Sequence, residues 1–109
     1  MSERVRQVSQ LLKQEVSGYL QEHLPDHAGF LTITVVEAAP DLKTATIWYA
    51  YVGDDLPVVV KLLRKEKRGL QAYINKRLSM KSVPRLFFKY DSSGDYAVEI
   101  SQAIDKAQR

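Results

Sequence analysis

The sequence contains no cysteine, which excludes a disulfide framework and any metal site built on thiolates. It has only two histidines, His23 and His27, and these flank Pro25 in a predicted turn. A metal site there would need further ligands, such as Asp26, in a geometry that a turn rarely supplies, so we expect no metal. A chain without cysteine suits a reducing compartment, and we expect a cytoplasmic protein.

Long apolar runs are also missing. No segment approaches the roughly 20 apolar residues that cross a bilayer, and the first residues lead into an amphipathic pattern instead of the apolar core of a signal peptide. We therefore expect neither secretion nor a membrane anchor. At 109 residues, without repeats or low-complexity segments, the chain is expected to form a single domain over 1–109.

Arrangements typical of an enzyme are not found either. The chain has no Gly-rich phosphate loop, and no serine stands in a strand-to-helix elbow. Asp54 and Asp55 are better explained as the end of a strand than as cation ligands. We expect no catalytic residue and no cofactor.

Acidic residues are nearly absent from one stretch of the chain. From Lys61 to Lys89 there are ten lysines and arginines and one acid, Glu66, which is a net charge of +9. The remainder carries six bases and twelve acids, so the total of +3 hides a strongly polar distribution. A solvated helix face normally mixes both signs, whereas one sign at this density favours a polyanionic partner.

Apolar spacing predicts the first three elements. Steps of three and four predict an amphipathic helix over 2–24, and alternation predicts strands over 30–38 and 43–52. The short connection between these strands favours an antiparallel pair. In the first strand we expect Ile33 and Val35 to share the face that contacts the core.

The second half of the chain predicts more helix and a last strand. A helical region begins near Pro57, but Glu66 interrupts its apolar register and Gly69 follows, so we expect a kink or break between two helices. A third strand follows Pro84, and a short helix is expected within 92–109. The order α-β-β-α-(kink)-α-β predicts an α+β fold in which the helices cover one face of a three-stranded sheet.

The basic residues of the second helical region form a stripe. Lys61, Lys65 and Arg68 follow one another at spacings of four and three, opposite the apolar positions. Such a stripe neutralises phosphates, which predicts salt-dependent and largely sequence-independent RNA affinity. The candidate RNA contacts in this half of the chain are Lys65, Lys67, Arg68, Lys76, Arg77, Lys81 and Arg85.

Two aromatic residues are predicted on the face of the sheet that the helices leave open. Trp48 and Phe87 are expected there beside Arg85 and Lys89. They could stack on an unpaired base or pack on a protein partner. Alternatively, the end of the chain folds over that face and buries both rings.

The element order and several local strings resemble the ribosome-binding factor A family over essentially the whole chain. The strings are Arg4-Val5 in the first helix; Ala39-Pro40-Asp41-Leu42 followed by Ala45 and Ile47-Trp48-Tyr49; Leu78 with Val83-Pro84-Arg85-Leu86; and Phe88-Lys89-Tyr90-Asp91-Ser92. The resemblance implies a KH type II-like domain. The family has an Ala-x-Gly interruption between two helices, and here Lys67-Arg68-Gly69 stands at that place, with lysine instead of alanine. Arg85 likewise stands where the family usually has an acidic residue.

The resemblance also implies a function. Family members bind the small (30S) ribosomal subunit late in its assembly, act on maturation of 16S rRNA and lack catalytic activity. It implies release with the help of an assembly GTPase, and we expect a monomer. Arg4 joins the candidate RNA contacts because its helix starts near the others in the family's fold.

Two other functions stay open at this point. The chain could be a protein–protein adaptor that uses Trp48 and Phe87 on the open sheet face, with the basic stretch serving solubility or attraction to a membrane surface. It could also be a KH-like binder of another RNA, because positive charge attracts the phosphates of any RNA and does not select one molecule.

Overall fold

The computed structural model describes residues 2–24 and 30–92. The elements are α1 (Glu3–His23), β1 (Phe30–Ala38), β2 (Thr44–Val52), α2 (Leu56–Arg77) and β3 (Arg85–Tyr90). The predicted first helix and all three predicted strands are thereby confirmed, each to within about one residue. The expected helix near the end of the chain and the turn that holds His27 lie outside the described residues.

Local signals explain where α1 begins and which side of it is buried. The Ser2 hydroxyl accepts a hydrogen bond from the backbone N–H of Val5 at 3.1 Å, which caps the helix. Leu12 and Val16, four residues apart, are fully buried. The buried Ser9 hydroxyl accepts a hydrogen bond from the Ala38 N–H at 2.9 Å, so α1 is fastened to the end of β1.

The sheet has the order β1-β2-β3. β1 and β2 pair antiparallel, as predicted, whereas β2 and β3 pair parallel, with α2 as the crossover between them. The alternation expected in β2 is confirmed, because Ala45, Ile47, Tyr49 and Tyr51 are buried and their neighbours are not. The helices pack on that buried face, and the opposite face of the sheet carries no described helix.

The predicted facing of β1 is wrong beyond its middle. The register shifts between Ile33 and Val35, which is a β-bulge, so Val36 enters the core and Val35 is exposed. An extra residue in one strand reverses the side to which later side chains point. The Thr34 hydroxyl at the bulge donates a hydrogen bond to the Asp91 carboxylate at 2.7 Å, which secures the strand there.

The predicted break between two helices is also wrong. α2 is one continuous helix of 22 residues that runs through Glu66 and Gly69. The Glu66 carboxylate is satisfied by α1, since the Tyr19 hydroxyl donates a hydrogen bond to it at 3.3 Å. A Cβ on Gly69 would lie 2.5 Å from the same hydroxyl, so the missing side chain leaves room for Tyr19. The interrupted register therefore marks the contact between two helices and not the end of one.

Gln71 of α2 holds the start of β3 in place. Its side-chain amide donates a hydrogen bond to the Pro84 carbonyl at 3.0 Å, and its carbonyl oxygen accepts one from the Leu86 N–H at 2.9 Å. β3 lies at the edge of the described sheet, where backbone groups lack a neighbouring strand. Gln71 therefore partly takes the place of that strand.

Candidate nucleic-acid interface

The predicted basic stripe lies on the outer side of α2. Lys61, Lys65 and Arg68 are exposed, and Arg64 beside them is exposed as well. The residues that α2 buries fall elsewhere on the helix; they are Val59, Leu63, Leu70 and Ile74. α2 thus uses its apolar side for the core and presents a row of cations to solvent.

Further cations gather where α2 ends and β3 begins. Lys76, Lys81 and Arg85 are all exposed. The backbone N–H of Arg85 donates a hydrogen bond to the Lys43 carbonyl at 2.9 Å, so Lys43, from the β1–β2 connection, lies next to Arg85. Lys43 is not among the predicted contacts, because only the parallel pairing of β2 and β3 brings it to this end of the sheet.

Arg4 is exposed in the first turn of α1. The neighbouring Ser2 and Val5 line a depression together with Pro40 of the β1–β2 connection and Thr44 at the start of β2. Arg4 therefore belongs to the end of the molecule that holds Lys43 and not to the stripe on α2.

Arg77 differs from the other candidates because it has an intramolecular partner. Its guanidinium donates hydrogen bonds to both carboxylate oxygens of Glu15 on α1, at 3.1 and 3.2 Å. The Tyr73 hydroxyl donates a third at 3.2 Å. The hydrogen bond from Arg77, opposed by partial burial, lowers the pKa of Glu15. Arg77 thus links α1 to α2, and an RNA phosphate would have to compete with Glu15 for it.

Lys67 and Arg85 meet at an aromatic ring. The Lys67 ammonium lies 4.7 Å from the centre of the Phe87 ring, and the Arg85 guanidinium lies 5.8 Å from it. On the same open face of the sheet, the Lys89 ammonium lies 5.3 Å from the centre of the Trp48 ring. Lys67 thereby connects the charge of α2 with the aromatic residues of the sheet around the β3 edge.

Tyr19 forms the centre of the contact between the helices. Its ring stacks on His23 with 3.8 Å between the ring centres and tilts against Tyr73 at 5.1 Å. Burial, together with the nearby Glu66 carboxylate, raises the pKa of the Tyr19 hydroxyl. Glu66, the one acid in the basic stretch, is therefore held by a hydrogen bond from α1, and the neutral hydroxyl leaves its negative charge in place.

Other kinds of site were sought among the described residues. Within 2–24 and 30–92, no group of three or more histidine, aspartate or glutamate side chains is placed to hold a metal ion. None of the helices in those ranges is both long and apolar enough to cross a membrane.

These features define a class of protein: a small α+β protein in which two helices cover one face of a three-stranded sheet and the second helix carries a row of cations. Comparison with known proteins identifies the family. The chain belongs to the ribosome-binding factor A family, whose sequence model, described as "Ribosome-binding factor A", matches residues 4–104. The resemblance noted in the sequence is thus confirmed.

Individual relatives match over most of their length. The chain is 34% identical to ribosome-binding factor A of Macrococcus caseolyticus, covering 100% of this chain and 98% of the relative. It is 34% identical to that of Geobacter sulfurreducens, covering 99% and 94%, and 33% identical to that of Desulfitobacterium hafniense, covering 93% and 83%.

Solved structures share the fold at lower identity. The crystal structure of ribosome-binding factor A from Thermus thermophilus matches with a TM-score of 0.68 and 22% identity, over 79% of this chain and 93% of that one. The solution structure of a putative ribosome-binding factor A from Thermotoga maritima matches with a TM-score of 0.71 and 20% identity, over 85% and 92%. The predicted α+β architecture is therefore confirmed.

Proposed function

We propose that this protein binds the small (30S) ribosomal subunit through 16S rRNA and assists its late assembly without catalysing a reaction. The observation that carries the proposal is membership of the ribosome-binding factor A family over residues 4–104. The ribosome-binding factor A of Thermus thermophilus, similar in fold, has been fitted as a homology model into a map of its complex with the 30S subunit. The exposed cations of α2 supply the chemistry that such binding needs.

The proposed RNA contacts are of two kinds. The cations with no described ion pair are the stronger candidates; they are Arg4, Lys65, Lys67, Arg68, Lys76, Lys81 and Arg85. Arg77 is a weaker one, because leaving Glu15 costs it two hydrogen bonds. Each cation that neutralises a phosphate releases counterions, so the affinity should fall steeply as salt rises.

Differential binding would provide the mechanism. A protein that binds an immature arrangement of the rRNA more tightly than the mature one shifts the population and promotes maturation. It must later be released, and we propose that an assembly GTPase assists release, as the family resemblance implies. We further propose a monomer that acts in the cytoplasm.

Co-sedimentation with isolated 30S subunits, 50S subunits and whole ribosomes over a salt series tests the proposal. We expect association with free 30S subunits that weakens with salt. A triple variant, Lys65→Glu, Arg68→Glu and Lys76→Glu, should lose that association and remain folded, because all three side chains are exposed. Lys13→Glu is the matched control, since Lys13 is an exposed lysine on α1, away from the stripe.

Two results would contradict the proposal. Equal association with every particle would show a general affinity for polyanions and no role specific to the small subunit. Unchanged association of a folded triple variant with the 30S subunit would remove α2 from the interface.

A further inference from the structure

The open face of the sheet carries a surface that the cationic row on α2 does not include. Arg85, Phe87 and Lys89 alternate along β3 and are exposed, and Trp48 of β2 is the register partner of Lys89. Lys67 reaches this group from α2. We call these five residues the β3 aromatic surface. We propose that it binds single-stranded RNA by stacking unpaired bases on Phe87 and Trp48 while its cations hold the flanking phosphates; this rests on the proposed RNA-binding function.

The rings are accessible and suitably spaced. The Phe87 residue is 39% exposed, although its neighbours Leu86 and Phe88 are buried or half-buried. Phe87 pairs with Thr46, and Lys89 pairs with Trp48, so the two rings occupy diagonal positions on adjacent strands. Strands about 4.8 Å apart with a rise of about 3.3 Å per residue place these diagonal Cα positions roughly 8 Å apart, which lets successive nucleotides each reach one ring. Stacking on aromatic rings is the usual way in which proteins hold unpaired bases.

The charges around the rings favour RNA over an apolar protein partner. Three cations lie within 5.8 Å of the two ring centres. Lysine is depleted from the cores of protein interfaces because its ammonium group is costly to dehydrate, whereas phosphates attract it. Each ring with its neighbouring cations thus matches the base and the phosphate of one nucleotide.

An acidic group beside Trp48 indicates on which side of that ring the phosphates lie. The Glu37 carboxylate accepts a hydrogen bond from the Trp48 indole N–H at 3.1 Å, on the β1 side of the ring. Phosphates would be repelled there and attracted to the β3 side, where Arg85, Lys89 and Lys67 stand. The RNA backbone should therefore follow the β3 edge, with its bases turned toward β2.

A duplex cannot use this surface in the same way, because its bases are stacked on one another and unavailable to the rings. It can still bind the cations of α2 through its phosphates. Preference for a single strand over the duplex of the same sequence therefore separates the β3 aromatic surface from the stripe on α2.

Trp48 is the sole tryptophan in the chain, so its fluorescence reports directly on this surface. The full-length protein is titrated with a short mixed-sequence single-stranded RNA, and separately with the blunt duplex that the strand forms with its complement. Anisotropy of a dye on the RNA measures binding in the same samples. We expect the single strand to quench Trp48 as it binds, whereas the duplex binds without a comparable change in Trp48 emission.

Phe87→Leu is the decisive variant, because it keeps an apolar side chain and removes the aromatic ring. We expect it to weaken single-strand binding by roughly tenfold, the effect of losing one stacked base, and to leave duplex binding unchanged. Val58→Ala is the matched control, since Val58 is an apolar residue of similar exposure, 45%, near the start of α2. Circular dichroism confirms that both variants are folded.

Several outcomes would overturn the inference and leave the proposed function intact. One is equal quenching by single strand and duplex, and another is wild-type single-strand affinity in Phe87→Leu. A free protein whose Trp48 resists quenching by acrylamide would show that the face is already covered. A Phe87→Leu variant that loses 30S association but keeps its RNA affinity would assign the surface to a protein partner. Failure of co-sedimentation by the wild type would instead contradict the proposed function.

Discussion

At the scale of single residues, Gly69 shows how one missing side chain shapes the contact between the helices. The Tyr19 hydroxyl lies where a Cβ on Gly69 would be, and it donates its hydrogen bond to Glu66, three residues earlier on α2. Glycine inside a helix normally costs about 1 kcal/mol relative to alanine. Here that cost is offset by the space it leaves for a buried tyrosine.

This contact predicts opposite responses at two helical glycines. Gly18→Ala should stabilise the protein by about 0.5–1 kcal/mol, because no atom lies within 4 Å of the added Cβ. Gly69→Ala should be less stable than Gly18→Ala by about 1–2 kcal/mol, because the Cβ displaces the Tyr19 hydroxyl and breaks its hydrogen bond. Urea unfolding measures both variants. Removal of the hydroxyl by Tyr19→Phe should reduce the penalty at Gly69, and equal gains at both glycines would contradict this account.

Gln71 provides a second prediction at this scale. Gln71→Ala leaves the Pro84 carbonyl and the Leu86 N–H without their side-chain partner, which should cost about 1–3 kcal/mol of unfolding free energy. Hydrogen exchange at the Leu86 amide should accelerate beyond what the lower global stability explains. Gln10→Ala is the control, since Gln10 is an exposed glutamine of α1 that takes part in none of the described side-chain hydrogen bonds. Unchanged exchange at Leu86 would show that β3 does not depend on Gln71.

At the scale of elements, the two helices are joined by Glu15 and Arg77. The salt bridge holds α1 against the last turn of α2 and is reinforced by the Tyr73 hydroxyl. The hydrogen bond from Arg77 lowers the pKa of Glu15 below its ordinary value of 4.5. A carboxyl group whose pKa is lower in the folded state favours folding above its unfolded pKa, and this contribution disappears as the pH falls through the folded value.

The salt bridge therefore predicts a pH-dependent difference between the wild type and Glu15→Gln. At neutral pH the wild type should be more stable, and the difference should shrink as the pH falls below 4.5 and through the lowered pKa of Glu15, because both proteins then carry an uncharged group at position 15. Chemical unfolding over this pH range measures it. In Arg77→Gln the pKa of the Glu15 carboxyl, followed by NMR, should rise. A difference that does not vary with pH would mean that the pair contributes little.

At the scale of the whole molecule, the cations of α2 are placed for binding at some expense to the fold. Lys61, Lys65 and Arg68 are exposed neighbours at spacings of four and three, which are repulsive distances for like charges on a helix. Since these three side chains take part in none of the described hydrogen bonds or salt bridges that attach α2 to the rest of the protein, their charge can change with little effect on packing. Binding and stability should therefore respond in opposite directions to a change of sign.

Lys65→Glu tests this separation. The substitution replaces repulsion from Lys61 and Arg68 by attraction to them. It should therefore stabilise the isolated protein by up to about 0.5 kcal/mol at low salt, and this gain should disappear at high salt. Association with the 30S subunit should weaken in the same variant. Lys13→Glu on α1 serves as the control for both measurements. A loss of stability together with a loss of binding would show that Lys65 has a structural role instead.

Local sequence patterns accounted for most of the architecture. The spacing of apolar residues located α1 and the three strands because a helix repeats every 3.6 residues and a strand every two. The same reasoning placed the core face of β2 and the cationic side of α2 correctly. The local strings were also sufficient to identify the family, which the comparison over residues 4–104 confirmed.

Errors arose where a distant segment completes the local environment. Glu66 and Gly69 predicted a kink or break because the local pattern of α2 does not include Tyr19, which lies 47 residues before Glu66 in the chain. The Tyr19 hydroxyl donates a hydrogen bond to Glu66 and lies in the space that a side chain on Gly69 would need. The bulge in β1 reversed the facing of Val35 and Val36, and its position depends on pairing with β2. No periodicity within one segment contains that information.

By itself the sequence determined which segments become helices and strands, where positive charge accumulates and to which family the chain belongs, because these depend on the order of side chains along the chain. Only the tertiary structure decided which of those charges act together. It paired Arg77 with Glu15, placed Lys43 beside Arg85 and brought Lys67 over Phe87. Electrostatic and stacking interactions depend on distances of a few ångströms through space, and the packing of α1, α2 and β3 sets those distances.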